Sequence, residues 1–272
     1  MEDRAAGRSG RNLPAAIGVG VLLGAAVIGS LYTRKELFLL VMAVAVGIGV
    51  LELVKAFGTK DIAVPGIPVL VALVGMLAGA FWGGAAWLLG VFAAAMFGLL
   101  IWRMFAAGTE GYVRDATASV FTLVYPPLLA AFAALLLAEP DGPDRVVIFI
   151  AVTVASDVGG YVAGVLFGRH KMSIISPKKT WEGFAGSVVA CVAVGAWLVV
   201  WRMDGEIWQG ALIGALGAAF ATLGDLIESM IKRDLGIKDL GSILPGHGGL
   251  MDRLDSLVAT LVPTWVLLSI FF

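Results

Sequence analysis

The chain has 272 residues, of which 60% are hydrophobic and only 14% charged, and its mean hydropathy is +0.95. A water-soluble domain of this length carries about 25% charged residues, so the composition excludes an ordinary soluble protein and indicates an integral membrane protein. The net charge of -1 argues against nucleic acid as a partner, and the single cysteine, Cys191, excludes an intrachain disulfide or a zinc centre built on cysteine.

A bilayer core about 30 Å thick needs roughly 20 apolar helical residues per crossing. Stretches such as 41–50 and 188–200 are apolar on every side, which suits helices rather than the alternating strands of a membrane barrel. The expected fold class is therefore all-α and polytopic, with about nine transmembrane helices. In chain order the spans are 13–33, 36–54, 66–80, 84–102, 119–138, 146–167, 184–201, 207–227 and 254–272. The first is too long for the apolar core of a cleaved signal peptide and reads as a retained helix. The third is short and is separated from the fourth only by the small-residue turn around "GAFWGG".

Alternating these spans places every Lys and Arg on one side except Arg34, Lys35, Arg145 and Arg202. By the positive-inside rule, the N-terminus is expected in the cytoplasm and the C-terminus outside. Residues 1–145 read as transmembrane scaffold, with oligomer contacts among their expected roles. Residues 146–272 hold the long cytoplasmic loops and read as the catalytic region. The small residues of "GALIGALGAAFA" permit close helix contact, either in a homodimer or within one chain.

The polar residues gather in two clusters. The eighth span ends "GDLIESMIKRDLGIKD", where Asp225, Ser229 and Lys232 fall on one helical stripe with Arg233 beside it. The glycine-rich segment that follows brings Lys238, Asp239, His247, Gly248 and Gly249, and the last span opens with Asp252, Arg253 and Asp255. Carboxylates at this spacing repel unless a cation lies among them, and Mg²⁺ is held by few carboxylates together with phosphates. The lysines and arginines suit a polyphosphate, and the glycines allow backbone N–H groups to approach an anion at a helix N-terminus.

The second cluster begins with Asp157, an ionisable residue inside the apolar "TVASDVGGYVAG". It continues through Lys178, Lys179 and Thr180 of "SPKKTWEG". Both clusters fall on the expected cytoplasmic side, which lets them share one cavity. Plainer readings apply to other residues. Glu228 and Asp234 read as solvated or helix-pairing charges, Cys191 as packing, and His170 and Tyr161 have no assigned chemistry.

The run S-x-x-K-R-x4-K-D-x5-P-x-H-G-G-x2-D-R-x-D, from Ser229 to Asp255, resembles the signature of the phosphatidate cytidylyltransferases, and "SDVGGYVAG" and "SPKKTWEG" are similar to further features of that family. One departure is Gly160, where the family often has Ala. The resemblance implies a metal-dependent nucleotidyltransferase of phospholipid biosynthesis in the cell membrane, with its active site facing the cytoplasm. Its substrates would be CTP and phosphatidate, and its products CDP-diacylglycerol and pyrophosphate. It implies Asp225, Asp252 and Asp255 as ligands of Mg²⁺, with room for a second cation. Lys232, Arg233, Lys238, Asp239 and Arg253 join them as catalytic residues. Ser229, His247, Gly248, Gly249, Lys178, Lys179, Thr180 and Asp157 are the expected substrate contacts. The alternatives are a CTP-dependent polyprenol or phytol kinase and, from another class, a transporter using Asp157 and Asp225 as an ion path.

Overall fold

A computed structural model describes residues 24–173, 175–176, 179–241, 243 and 248–272. The helices are α1 (Gly24–Thr33), α2 (Lys35–Gly58), α3 (Gly66–Ala78), α4 (Gly84–Ala107), α5 (Tyr112–Leu123), α6 (Leu129–Ala138), α7 (Gly142–Phe167), α8 (Trp181–Met203), α9 (Ile207–Leu235) and α10 (Met251–Phe271). Among the described residues no strand occurs, and one isolated bridge joins Lys171 to Thr180. Among the described residues seven helical stretches are long and apolar enough to cross a membrane, so the chain is an all-α polytopic membrane protein.

The count differs from nine in two places. Of the expected span 13–33 only α1 lies within the described residues. The expected third and fourth spans form one apolar stretch, Gly66–Ala106, counted once among the seven. That stretch is folded back on itself. A Cβ on Gly75 would meet Val91 Cγ1 at 3.2 Å, whereas sixteen residues of straight helix would separate the two by about 24 Å. The reversal follows a π-helical turn, Gly79–Gly83, and occurs where Gly84 takes φ 75, a value that costs a glycine little.

Contacts sort the connecting segments into two ends. Lys60 reaches Gly236, Ala63 N–H donates to Asp115, and Lys179 pairs with Asp225 at one end. Lys35 donates to Glu139 O, Arg145 to Leu268 O, and Arg202 pairs with Asp144 at the other. The first end is bolted by a buried ion pair, Arg103 Nη2 to Asp115 Oδ2 at 3.0 Å.

Helices α7, α8, α9 and α10 pack in sequence as neighbours, while α2, α3 and α6 complete the core. Lipid offers no solvent-driven gain for joining apolar helices, so close packing must hold them together. Glycine supplies it. A Cβ on Gly159 of α7 would lie 2.6 Å from Ala190 Cβ of α8, and one on Gly210 of α9 would lie 2.6 Å from Ala196 Cα. Gly214 likewise abuts Val192 N at 2.7 Å. The small residues of "GALIGALGAAFA" therefore serve packing within the chain.

Candidate active site

The site is built where α9 stops and α10 starts. The end of α9 is fixed by Gly236, in the left-handed region at φ 71, with Gly236 N–H donating to Arg233 O at 3.1 Å and Ile237 N–H to Lys232 O at 2.9 Å. This doubly bonded stop leaves Lys232 and Arg233 in the last turn, where positive charge suits the helix dipole. Lys232 Nζ lies 2.9 Å from Asp252 Oδ1 of α10 and 3.2 Å from Glu228 Oε1 one turn earlier in α9. Glu228 lies between Asp252 and Asp255 and interacts with each of them beside that ammonium. Glu228 does pair along the helix as expected, but at 1% exposure it is not a solvated charge. Asp234 is exposed. Ser229 is half-buried beside these groups, and Arg233, Lys238, Asp239 and Arg253 are exposed around the rim.

The second cluster meets the first across a cavity of about 260 Å³, lined by Asp157, Gly160, Tyr161, Lys179, Thr180 and Asp225 among others. Lys179 of the α7–α8 loop reaches over to pair with Asp225 of α9. Thr180 has a second task, since its hydroxyl accepts from Gly183 N–H at 3.1 Å and caps α8, a bond worth about 1 kcal/mol. The loop is tied down by Glu182, whose carboxylate takes the His170 ring nitrogen Nδ1 at 2.6 Å and the backbone N–H groups of Arg169 and His170. On the cavity wall Ser156 and Ser187 join α7 to α8 through a 2.6 Å hydroxyl pair.

Gly249 and the start of α10 give their N–H groups to carboxylates. Gly249 N–H donates to Asp252 Oδ2 at 2.9 Å, and Leu240 N–H donates to the same oxygen at 3.0 Å. The next two N–H groups, of Leu250 and Met251, donate to Glu52 of α2 at 3.1 and 2.8 Å. Gly248 takes φ 86 and faces both Asp239 and Asp252. His247 and Lys178 lie outside the described residues, as do Pro245 and Gly246.

Three residues near this centre were not expected from the sequence. Glu228 is at its middle. Glu52, 5% exposed, is an ionisable residue inside an apolar span, the same signal that singled out Asp157. Tyr125 sits in a π-helical turn, Val124–Leu128, and its buried hydroxyl has no hydrogen-bond partner among the described residues while facing the charges of Asp255 and Glu228. No periodicity marks such a turn in advance.

Among the described residues no three carboxylate, imidazole or thiol groups are gathered as metal ligands. Two lysines explain the spacing, because Lys179 holds Asp225 and Lys232 holds Asp252. The donor chemistry nevertheless fits a divalent cation. Asp225, Glu228, Asp252 and Asp255 bring four carboxyls, with Lys179 and Lys232 as their paired ammonium groups, and the surplus is hard oxygen.

Comparison with known proteins extends the likeness beyond this end of the molecule. A protein of Mycobacterium leprae named phosphatidate cytidylyltransferase is 40% identical over 97% of this chain and 89% of its own length. The Mycobacterium tuberculosis protein of the same name is 38% identical over 97% of this chain and 84% of its own. A Synechocystis protein, again so named, is 45% identical over 44% of this chain and 42% of its own. The sequence pattern of the Cytidylyltransferase family matches residues 14–271. With the match running through the α9–α10 signature and almost the whole chain, the protein belongs to the Cytidylyltransferase family.

Proposed function

We propose that this protein is a phosphatidate cytidylyltransferase, converting CTP and phosphatidate to CDP-diacylglycerol and pyrophosphate. The observation that carries the reading is the convergence of both polar clusters on one cavity, Lys179 meeting Asp225 there, beside the Lys232–Asp252 pair. The full-length relatives that carry this name support it.

The reaction needs no side-chain nucleophile. A phosphatidate oxygen attacks the α-phosphorus of CTP, the bond from that phosphorus to the bridging oxygen breaks, and pyrophosphate leaves with the electron pair. The barrier is repulsion between two anions, which fixed positive charge lowers. Lys179 and Lys232 inside the site and Arg233, Lys238 and Arg253 around its rim supply that charge. Arg233 and Lys238 are exposed and without an ion pair among the described residues, and suit CTP phosphates. Because Gly249, Leu250 and Met251 give their N–H groups to carboxylates, phosphate binding falls to these side chains rather than to the start of α10.

Asp225, Asp252 and Asp255 would hold Mg²⁺, which polarises phosphoryl oxygens and screens their charge when bound. On this reading Lys179 and Lys232 hold those carboxylates in the meantime and turn to phosphate when substrate arrives. Asp157 and Tyr161 stand on the cavity wall beside exposed apolar residues of α7, where acyl chains can remain in lipid. The excess of basic residues at the signature end supports a cytoplasmic position for that end, and a role in phospholipid synthesis supports the cell membrane as its place. A homodimer would have to form through surfaces other than the α8–α9 seam.

The test is pyrophosphate release by the purified protein in detergent, omitting CTP, phosphatidate or Mg²⁺ in turn. Release that requires all three, with a lipid-bound cytidine product, is expected. Release of CDP with phosphorylation of a lipid alcohol would instead make it a kinase, and no turnover of any lipid would remove the enzymatic reading.

A further inference from the structure

The N-terminal half of the chain reaches into the signature region through one buried carboxylate. Glu52 lies in α2, 5% exposed, and crosses to the turn that opens α10, where its two oxygens accept from Leu250 N–H at 3.1 Å and Met251 N–H at 2.8 Å. These N–H groups belong to the first turn of a helix, which has no internal acceptors for them. A buried N–H without a partner is costly, so the carboxylate both satisfies the donors and favours this position electrostatically.

The turn is shaped around that carboxylate. Gly249 lies between two acids, since a Cβ there would come within 2.7 Å of Glu52 Oε2 and 2.8 Å of Asp252 Oδ2. It would also meet Gly241 N at 2.6 Å. Three successive N–H groups are thus divided between two carboxylates, Gly249 to Asp252 and the next pair to Glu52. Asp252 stands in the turn so fixed and holds Lys232, and Asp255 follows three residues on in the same helix.

We propose that Glu52 is a positioning residue of this site: it anchors the first turn of α10 from the opposite half of the chain and thereby sets where Asp252 and Asp255 stand. The proposal rests on the cytidylyltransferase reading for what the site does. Its geometric part is independent of that reading.

The experiment uses the full chain in detergent. Glu52→Gln keeps the side-chain size and one acceptor oxygen. It is preferred to Glu52→Ala, which would leave two buried donors unpaired. In Glu52→Gln, amide exchange at Leu250 and Met251 without added metal should quicken, and melting should fall modestly because the amide leaves one of the two donors unpaired. With CTP, phosphatidate and Mg²⁺, kcat should fall about ten-fold or more, as for groups that orient metal ligands. The concentration of Mg²⁺ and CTP needed for half-maximal rate should rise, and KM for phosphatidate should stay. Wild-type exchange and kinetics in Glu52→Gln would overturn the proposal, as would a rate loss that merely matches a loss of folded protein with every KM unchanged. Failure of the wild-type chain to release pyrophosphate would instead sink the cytidylyltransferase reading, and exchange at Leu250 and Met251 would still decide whether Glu52 holds the turn.

Discussion

Lys232 Nζ lies 2.9 Å from Asp252 Oδ1, a contact that joins the last turn of α9 to the first turn of α10 across twenty residues of sequence. Lys232 is also the ammonium around which Glu228, Asp252 and Asp255 gather. Removing it should have two separable effects. Lys232→Met leaves buried carboxyls uncompensated and should cost about 3 kcal/mol of stability, with turnover falling about a hundred-fold. Adding Glu228→Gln should recover much of the melting temperature and none of the rate. Recovery of both would make Lys232 a structural counter-ion only.

Asp252→Asn and Asp255→Asn are expected to abolish turnover while the protein stays folded. Asp252→Asn keeps an amide oxygen that can accept from Gly249 N–H and Leu240 N–H but loses the ion pair with Lys232, so its melting temperature should fall while the protein stays folded. Pyrophosphate release together with thermal unfolding checks both halves. Near-normal rates in either variant would remove the metal assignment, and full activity after exhaustive chelation would do the same.

Lys179 and Thr180 are adjacent but should behave differently. The Lys179–Asp225 pair is partly exposed, and such pairs are worth about 1 kcal/mol or less, so Lys179→Ala should lower turnover about a hundred-fold with little loss of stability. Thr180→Val removes the cap of α8 and should cost about 1 kcal/mol while leaving both KM values unchanged. A higher KM in Thr180→Val would return that hydroxyl to substrate contact.

Lys238→Ala should raise KM for CTP and leave KM for phosphatidate alone, because the side chain is exposed and unpaired among the described residues. An unchanged dependence of rate on CTP would give Lys238 a structural role.

Asp115→Asn serves as a control at the same end of the molecule but outside the two polar clusters. Asp115 accepts from Arg103, Arg114 and the N–H of Ala63, and its side chain is 3% exposed beside Arg103 at 6%. Breaking this buried pair should cost about 3 kcal/mol. Both KM values of the folded fraction should be untouched.

Much of the fold is legible because apolar runs long enough to span lipid have few alternatives to helix. Runs 146–167, 184–201 and 207–227 correspond to α7, α8 and α9, and the helices lengthen mainly where capping groups such as Thr180 or Gly236 fix the ends. The α3–α4 reversal was visible as "GAFWGG" because its glycines free the backbone to turn, Gly84 taking φ 75. The α9–α10 residues were legible as a constellation since their spacing is local. Glu52 and Tyr125 were not, because each reaches the site through tertiary packing between α2 or the α5–α6 turn and α10, which spacing within one segment cannot express. The N–H groups of Gly249, Leu250 and Met251 looked available to phosphate in the sequence, which cannot place Asp252 and Glu52 of α2 against them.

Tyr161, Val158 and Val165 turn outward from α7 beside the cavity that holds Asp157 and Asp225. An enzyme approached from that flank meets its lipid by diffusion in a plane, and a product with two acyl chains departs the same way. Its supply of phosphatidate is then a surface density rather than a volume concentration. Diluting the lipid with inert detergent at constant total phosphatidate should slow the enzyme, whereas CTP, arriving from water, should saturate it by ordinary molarity.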